Sequence, residues 1–286
     1  MASWRASLPG EPAPHLHQDK KGAIYDDFMA GPAPHWRRYV TGNGALEATG
    51  STLRFLTANA TARTYSNAQI DDYQGLPRRR FPWRPPLRLT VRARFSHPIR
   101  GQADGLRGTA GFGFWNDPFL MTGARTPTLP RAVWFFVASP PSEMKLDLDT
   151  PGYGWKAAVI DTLRPAAVLL APFALPAALI MNLRPVYRRL WPAIQQALQI
   201  GEAEIGADMT VWHTYVLDWG VERASFWVDD RPVLYAPAPR GPLGFVMWLD
   251  NQYLTVTPWG RFGRGLLDVP GRQWMEVERL AIEPQK

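Results

Sequence analysis

The sequence contains no cysteine. That excludes disulfide cross-links and thiolate metal centres, and it fits a reducing compartment. Lysine is scarce as well. It stands only at positions 20, 21, 145, 156 and 286, so arginine supplies nearly all of the positive charge behind the formal net +7. A basic balance attracts polyanions, but no nucleic-acid motif accompanies it, and nucleic acid is disfavoured as a partner. His15, His17 and His213 show no metal-ligand spacing, and no phosphate-binding glycine loop is present. No metal and no cofactor is expected. Residues 1–21 lack the apolar core of a signal peptide, so a cytoplasmic location is expected. The longest apolar run, 165–183, has the length of a membrane span but is interrupted by Pro172 and Pro176.

What the chain does have is period-two patterning in aromatic and β-branched residues. In 212–233, Tyr215, Leu217 and Trp219 alternate with Thr214, Val216 and Asp218. Ala224, Phe226 and Val228 then alternate with Ser225, Trp227 and Asp229. This spacing predicts two strands, with Gly220 at the break and a turn at 229–232. Leu87, Leu89, Val91, Ala93 and Phe95 form one face of a further strand, opposite Arg88, Thr90, Arg92 and Arg94. The stretch 108–115, GTAGFGFW, sets glycine among large residues, a sign of close approach by a backbone or ligand. Residues 132–138 are apolar on both faces, as in a central strand or one whose second face lines an apolar groove. RRRFPWR at 78–84 reads as a loop with arginine over aromatic rings, or as a single-strand nucleic-acid patch. With 46% hydrophobic residues and 13 tryptophans, the chain can bury a large core and line a groove.

Taken in order, these pieces resemble the laminarinase-type glycoside hydrolases (family 16). The matching stretches are IYDDF at 24–28 with Trp36 downstream, LRLTVRARF at 87–95 and GTAGFGFW at 108–115. WHTYVLDW and FWVDD within 212–230 follow, then MEVERLAIE at 275–283. The resemblance implies an all-β fold, a concanavalin-A-like jelly-roll sandwich. It also implies a Glu-x-Asp-x-Glu type motif that supplies a nucleophilic carboxylate and a general acid. That motif is missing or degenerate. In one register, 143–149 (EMKLDLD) sets Lys145 at the nucleophile, Asp147 at the middle and Asp149 at the acid. In the other, the motif strand is 133–139, which has no carboxylate. If extended, Asp147 and Asp149 share a face with Cα atoms about 6.6 Å apart. They are then either an acid–base pair or two exposed acids beside the turn at 150–152.

A second cluster joins Asp117, after GFGFW, to Asp250 and Asn251, after GPLGFVMWL. These are candidate acids over a groove lined by Trp115, Asn116, Trp134, Phe136 and Trp248, or they cap turns. Aromatic walls suit sugar faces, and equally an isoprenoid or acyl chain. The expected organisation is an arm at 1–21, a sandwich in two parts at 22–156 and 206–286, and an apolar, helical insertion at 157–205. Within it Val186, Leu190, Ile194 and Leu198 share a helical face flanked by Arg188, Arg189 and Trp191. That is the pattern of a membrane-surface helix, or of an excursion packed on the sandwich. Three functions fit. The first is a non-hydrolytic relative holding an amphiphilic or apolar ligand near a membrane through 160–200, with acid–base chemistry by Asp117 or Asp250 as an option. The second is a β-glucan hydrolase with a displaced pair from Asp147, Asp149 or Glu143. The third is a glycan-binding module.

Overall fold

The computed structural model describes residues 22–99, 105–118, 126, 128–163, 176, 179–257, 259 and 261–286. The arm at 1–21 and most of the apolar run, Pro172 included, lie outside the described residues. In chain order the strands are β1 (Ile24–Asp26), β2 (Arg37–Thr41), β3 (Gly44–Ala48), β4 (Leu53–Ala60), β5 (Asn67–Asp71) and β6 (Leu87–Phe95). There follow β7 (Thr109–Trp115), β8 (Arg131–Ala138), β9 (Glu143–Met144), β10 (Gly154–Asp161), helix α1 (Arg184–Ala197) and β11 (Gly201–Glu204). The chain ends with β12 (His213–Trp219), β13 (Arg223–Val228), β14 (Arg231–Pro237), β15 (Gly244–Asp250), β16 (Gln252–Val256), β17 (Phe262–Leu266) and β18 (Val269–Pro284).

Two antiparallel sheets form a sandwich. One has the order β14-β13-β12-β6-β18-β4-β3, with β1 also on β18; the other is β11-β10-β8-β7-β15-β5-β2. A small third sheet, β17-β16-β9, continues from β15. The 212–233 hairpin is β12–β13, in register Leu217 with Phe226, and Leu217 also faces Leu89 of β6. Asp229 and Asp230 take φ of 48° and 64°, the left-handed pair that closes a tight hairpin into β14.

The sheets are joined by rings. Tyr215 of β12 meets Phe112 of β7 at 5.3 Å, and Phe135 of β8 and Trp155 of β10 at 5.4 Å each, all buried. Each such side chain contributes about 2–3 kcal/mol by leaving water. The polar face of β6 is occupied by internal partners. Arg94 lies 4.8 Å from the Trp212 ring centroid and pairs with Glu276 at 2.8 Å. In the 78–84 segment, Arg78 Nε donates to the Asn116 carbonyl at 2.7 Å.

The insertion is shorter than expected. β10 and β11 pair antiparallel, Val159 with Gly201, so the boundaries expected at 157 and 205 fall in or beside sheet strands. The helix turns the expected face inward only in part: Ile194 and Leu198 pack against a buried cluster. Tyr187 and Trp191 are buried while Leu190 is 39% exposed. Rotating the stripe by one position buries the two larger rings, and Trp191 Nε1 gains the Leu146 carbonyl at 3.0 Å. Among the described residues no helix is long and apolar enough to cross a membrane.

Candidate functional site

Strand alternation sorts the second sheet into two faces. Phe112, Phe114, Val133, Phe135, Val137, Phe245, Met247 and Leu249 enter the core between the sheets. Trp115, Ala132, Phe136, Ala138, Val246 and Trp248 form a separate cluster on the opposite face, with Trp134 packed against it. A trough of about 430 Å³ runs over this face, lined among others by Trp115, Trp134, Phe136, Val246, Trp248 and Asp250.

The glycines of β7 make the floor. Trp134 stands opposite Gly113, and Trp248 opposite Gly111. A Cβ on Gly113 would come within 2.5 Å of Trp134 Cβ; one on Gly111 would lie 2.3 Å from the Phe135 carbonyl and 3.0 Å from the Trp248 ring. The alternation of small and large residues therefore seats the indoles on bare backbone. The Trp115 and Trp248 rings are parallel within 7°, their centroids 6.5 Å apart. Trp134 lies 5.7 Å from the first and 5.4 Å from the second. Both parallel indoles are pinned through nitrogen: Trp115 donates to the Tyr73 hydroxyl and Trp248 to Thr109 Oγ1, each at 2.9 Å.

The trough is polarised along the strands. Asp250 pairs with Thr109 at one end of the β7–β15 ladder and Gly244 with Trp115 at the other, about 20 Å away. Asp250 is the only carboxylate among the described lining residues; Gln69, Gln252 and Arg264 also line the trough. Its Oδ1 accepts from Thr109 Oγ1 at 2.8 Å and from the backbone N–H of Gln252 at 3.0 Å. Its Oδ2 faces the Tyr65 hydroxyl at 3.5 Å. Burial pushes the Asp250 carboxyl up to about 6 against these hydrogen bonds. Burial and the same carboxyl push Tyr65 upward too.

Trp115, Trp134, Phe136, Trp248 and Asp250 thus lie together. The other expected site residues lie elsewhere. Asn116 clamps the entry of β8, donating to the Leu129 carbonyl at 3.0 Å and accepting from Arg131 N–H at 2.9 Å. Asp117 is buried at φ 48°, its carbonyl held by Arg78 Nη2 at 2.7 Å. Asn251 donates to the carbonyls of Thr61, Thr64 and Leu267. Residues 147–150 bend rather than extend. Asp147 Oδ1 accepts the N–H of Asp149 at 2.8 Å, and its Oδ2 accepts Gln195 Nε2 of α1 at 2.7 Å. Asp147 and Asp149 are therefore not a pair on one strand face.

Residues that sequence reasoning did not find include Gln69, Thr109, Met144, Val246 and Leu254. Val246 and Thr109 share parity with Trp248 and Trp115, a signal available in the alternation. Gln69 comes in only through its pairing with Trp248. Among the described residues no group of three or more His, Cys, Asp or Glu is placed to hold a metal ion.

Neither a family model nor a curated protein matches the sequence. Solved structures do resemble the fold. A structure described as an endo-acting O-glycanase of human gut microbiota aligns over 92% of this chain and 99% of its own, with TM-score 0.51 and 12% identity. A pseudo β-1,3-glucanase of Mycobacterium tuberculosis aligns over 92% and 98%, with TM-score 0.50 and 12% identity. A lichenase from a mouse hindgut metagenome aligns over 92% and 99%, with TM-score 0.50 and 10% identity. The chain shares the jelly-roll β-sandwich fold of these structures. At these identities the likeness concerns the fold, and function has to be argued from the trough.

Proposed function

We propose that the trough binds an apolar or amphiphilic molecule and does not cleave glycosidic bonds. One observation carries this reading: the strand crossing the floor, β8, directs Ala132, Trp134, Phe136 and Ala138 toward the trough. A retaining glycosidase needs two carboxyl groups about 5–5.5 Å apart, and the described lining supplies only Asp250. The volume suits a small molecule, with an apolar body on the indoles and a polar end toward Asp250, Gln69 and Arg264. Lipids, isoprenoids and glycolipids have this form. Asp250, with its raised pKa, is the acid available for proton transfer to a ligand that reaches Oδ2. Contact with a membrane surface belongs to the same reading: Leu179, Leu183 and Leu190 are exposed beside Arg184, Arg188 and Arg189.

A second reading, glycan binding without turnover, is favoured by the parallel pair Trp115 and Trp248, since flat indoles also stack on sugar rings. Organic extraction of the purified protein followed by mass spectrometry separates the two. An apolar compound retained by the native chain and lost in Trp134→Ala is expected. An empty extract, together with tryptophan quenching by β-glucan oligosaccharides, would replace the first reading by the second.

A further inference from the structure

A second cavity of about 650 Å³ opens between the N-terminal turn of α1, the 145–149 bend and the segment carrying Arg261. Among the described residues, Lys145, Arg184, Arg188 and Arg261 line it, against one carboxylate, Asp149. None of the three arginines forms an ion pair among the described residues. Among the described residues, Lys145 Nζ donates to the Thr150 carbonyl at 3.0 Å.

The placement conflicts with local physics. The first turn of α1 has no acidic residue; Arg184 opens that turn, at the end of the helix that favours anions, and Arg188 follows one turn on. Such a conflict between a local rule and the sequence is characteristic of functional sites. Tyr187 gives an independent sign. It lines the same cavity, is 7% exposed, and its hydroxyl has no hydrogen-bond partner among the described residues. Burial and the carboxylates of Asp147 and Glu202 push its pKa up to about 12, so the hydroxyl stays a donor. Leu179 and Leu183, just before α1, are 69% and 61% exposed.

We infer that this cavity binds a phosphate group, monoester or diphosphate, through Arg184, Arg188, Arg261 and Lys145, with Tyr187 donating a further hydrogen bond. Guanidinium forks match phosphate oxygens. The group can come from a lipid headgroup, with Leu179 and Leu183 in the acyl layer, or from a soluble phosphate. The site is separate from the trough; its headgroup arm rests on the membrane contact proposed above, and its soluble-phosphate arm does not.

The test titrates the full chain with inorganic pyrophosphate by calorimetry, and floats it with phosphatidylcholine vesicles with and without phosphatidic acid. The variants are Arg184→Gln/Arg188→Gln and Tyr187→Phe. Arg79→Gln/Arg80→Gln removes the same charge from exposed positions elsewhere. The double variant at α1 is expected to bind about tenfold more weakly or worse, Tyr187→Phe to bind more weakly than the native chain, and the control to bind as the native chain does. Binding to pyrophosphate assigns a soluble phosphate; binding to phosphatidic acid vesicles alone assigns a headgroup. No binding of either probe, or native affinity in either α1 variant, overturns the inference.

Discussion

Glu202→Gln probes the joint between the trough and α1. Glu202 and Lys156 form an ion pair at 3.1 Å with both side chains fully buried. Glu202 Oε1 also accepts the N–H groups of Leu146 and Asp147 at 3.0 and 2.8 Å, which ties the 144–147 segment to β11. Gln keeps an acceptor for those two donors, so the chief loss is the counter-charge of Lys156. Removing one partner of a buried pair costs about 3–5 kcal/mol; with the acceptor retained, the low end, about 3 kcal/mol, is expected. With a urea dependence of about 3 kcal/mol per molar, that lowers the midpoint by about 1 M. Burial lowers the Lys156 pKa, opposed by Glu202, and burial raises that of Glu202, opposed by Lys156. Desolvation therefore outweighs attraction in both partners. Lys156→Met/Glu202→Gln should accordingly recover to within about 1 kcal/mol of the native chain. Urea unfolding of native, single and double variants closes the cycle. A single-variant loss below about 1 kcal/mol, or a double variant as unstable as the single, would refute the reasoning.

Asp250→Asn removes a carboxyl whose pKa is raised from 3.8 to about 6. A raised carboxyl favours folding below the unfolded value and loses that advantage as pH rises through the folded one. Native stability should fall between about pH 4 and 6 by up to about 3 kcal/mol relative to Asp250→Asn, then run parallel to it, as urea unfolding across pH checks. Gly111→Ala should cost about 1–3 kcal/mol through overpacking against the Phe135 carbonyl and the Trp248 ring, read as a lower unfolding temperature. For Asp147, burial acts upward but the donors Asp149 N–H, Gln195 and Thr150 N–H hold the carboxyl below its ordinary value. Its contribution is therefore present above about pH 4 and fades as pH falls through the lowered value. Asp147→Asn should cost about 1 kcal/mol near neutrality and leave trough binding unchanged, checked by unfolding and tryptophan quenching.

Strands with strict alternation were readable because one face had to be apolar. Leu87–Phe95 is buried at every second residue, and the 132–138 stretch lies with one face in the core and one in the trough. The aromatic members of the site followed from the same parity. Asp250 followed too, sharing parity with Trp248, but Asp117, Asp147 and Asp149 did not, because a carboxylate's role depends on partners distant in sequence. Asp147 next to a turn looks the same in sequence whether it faces substrate or Gln195, 48 positions on. The helix face was legible in part, since Ile194 and Leu198 of the expected stripe pack inward. Val186 and Leu190 fit the helical period, but Tyr187 and Trp191 have more surface to bury and a carbonyl to meet.

The described lining of the trough is aromatic and holds one carboxylate, Asp250, and the reading proposed for it excludes glycosidic cleavage. Release of reducing ends from laminarin and lichenan by the purified chain tests it most directly. The expected result is no release above the protein-free blank. Turnover by the native chain that disappears in Asp250→Asn or Asp147→Asn would contradict it.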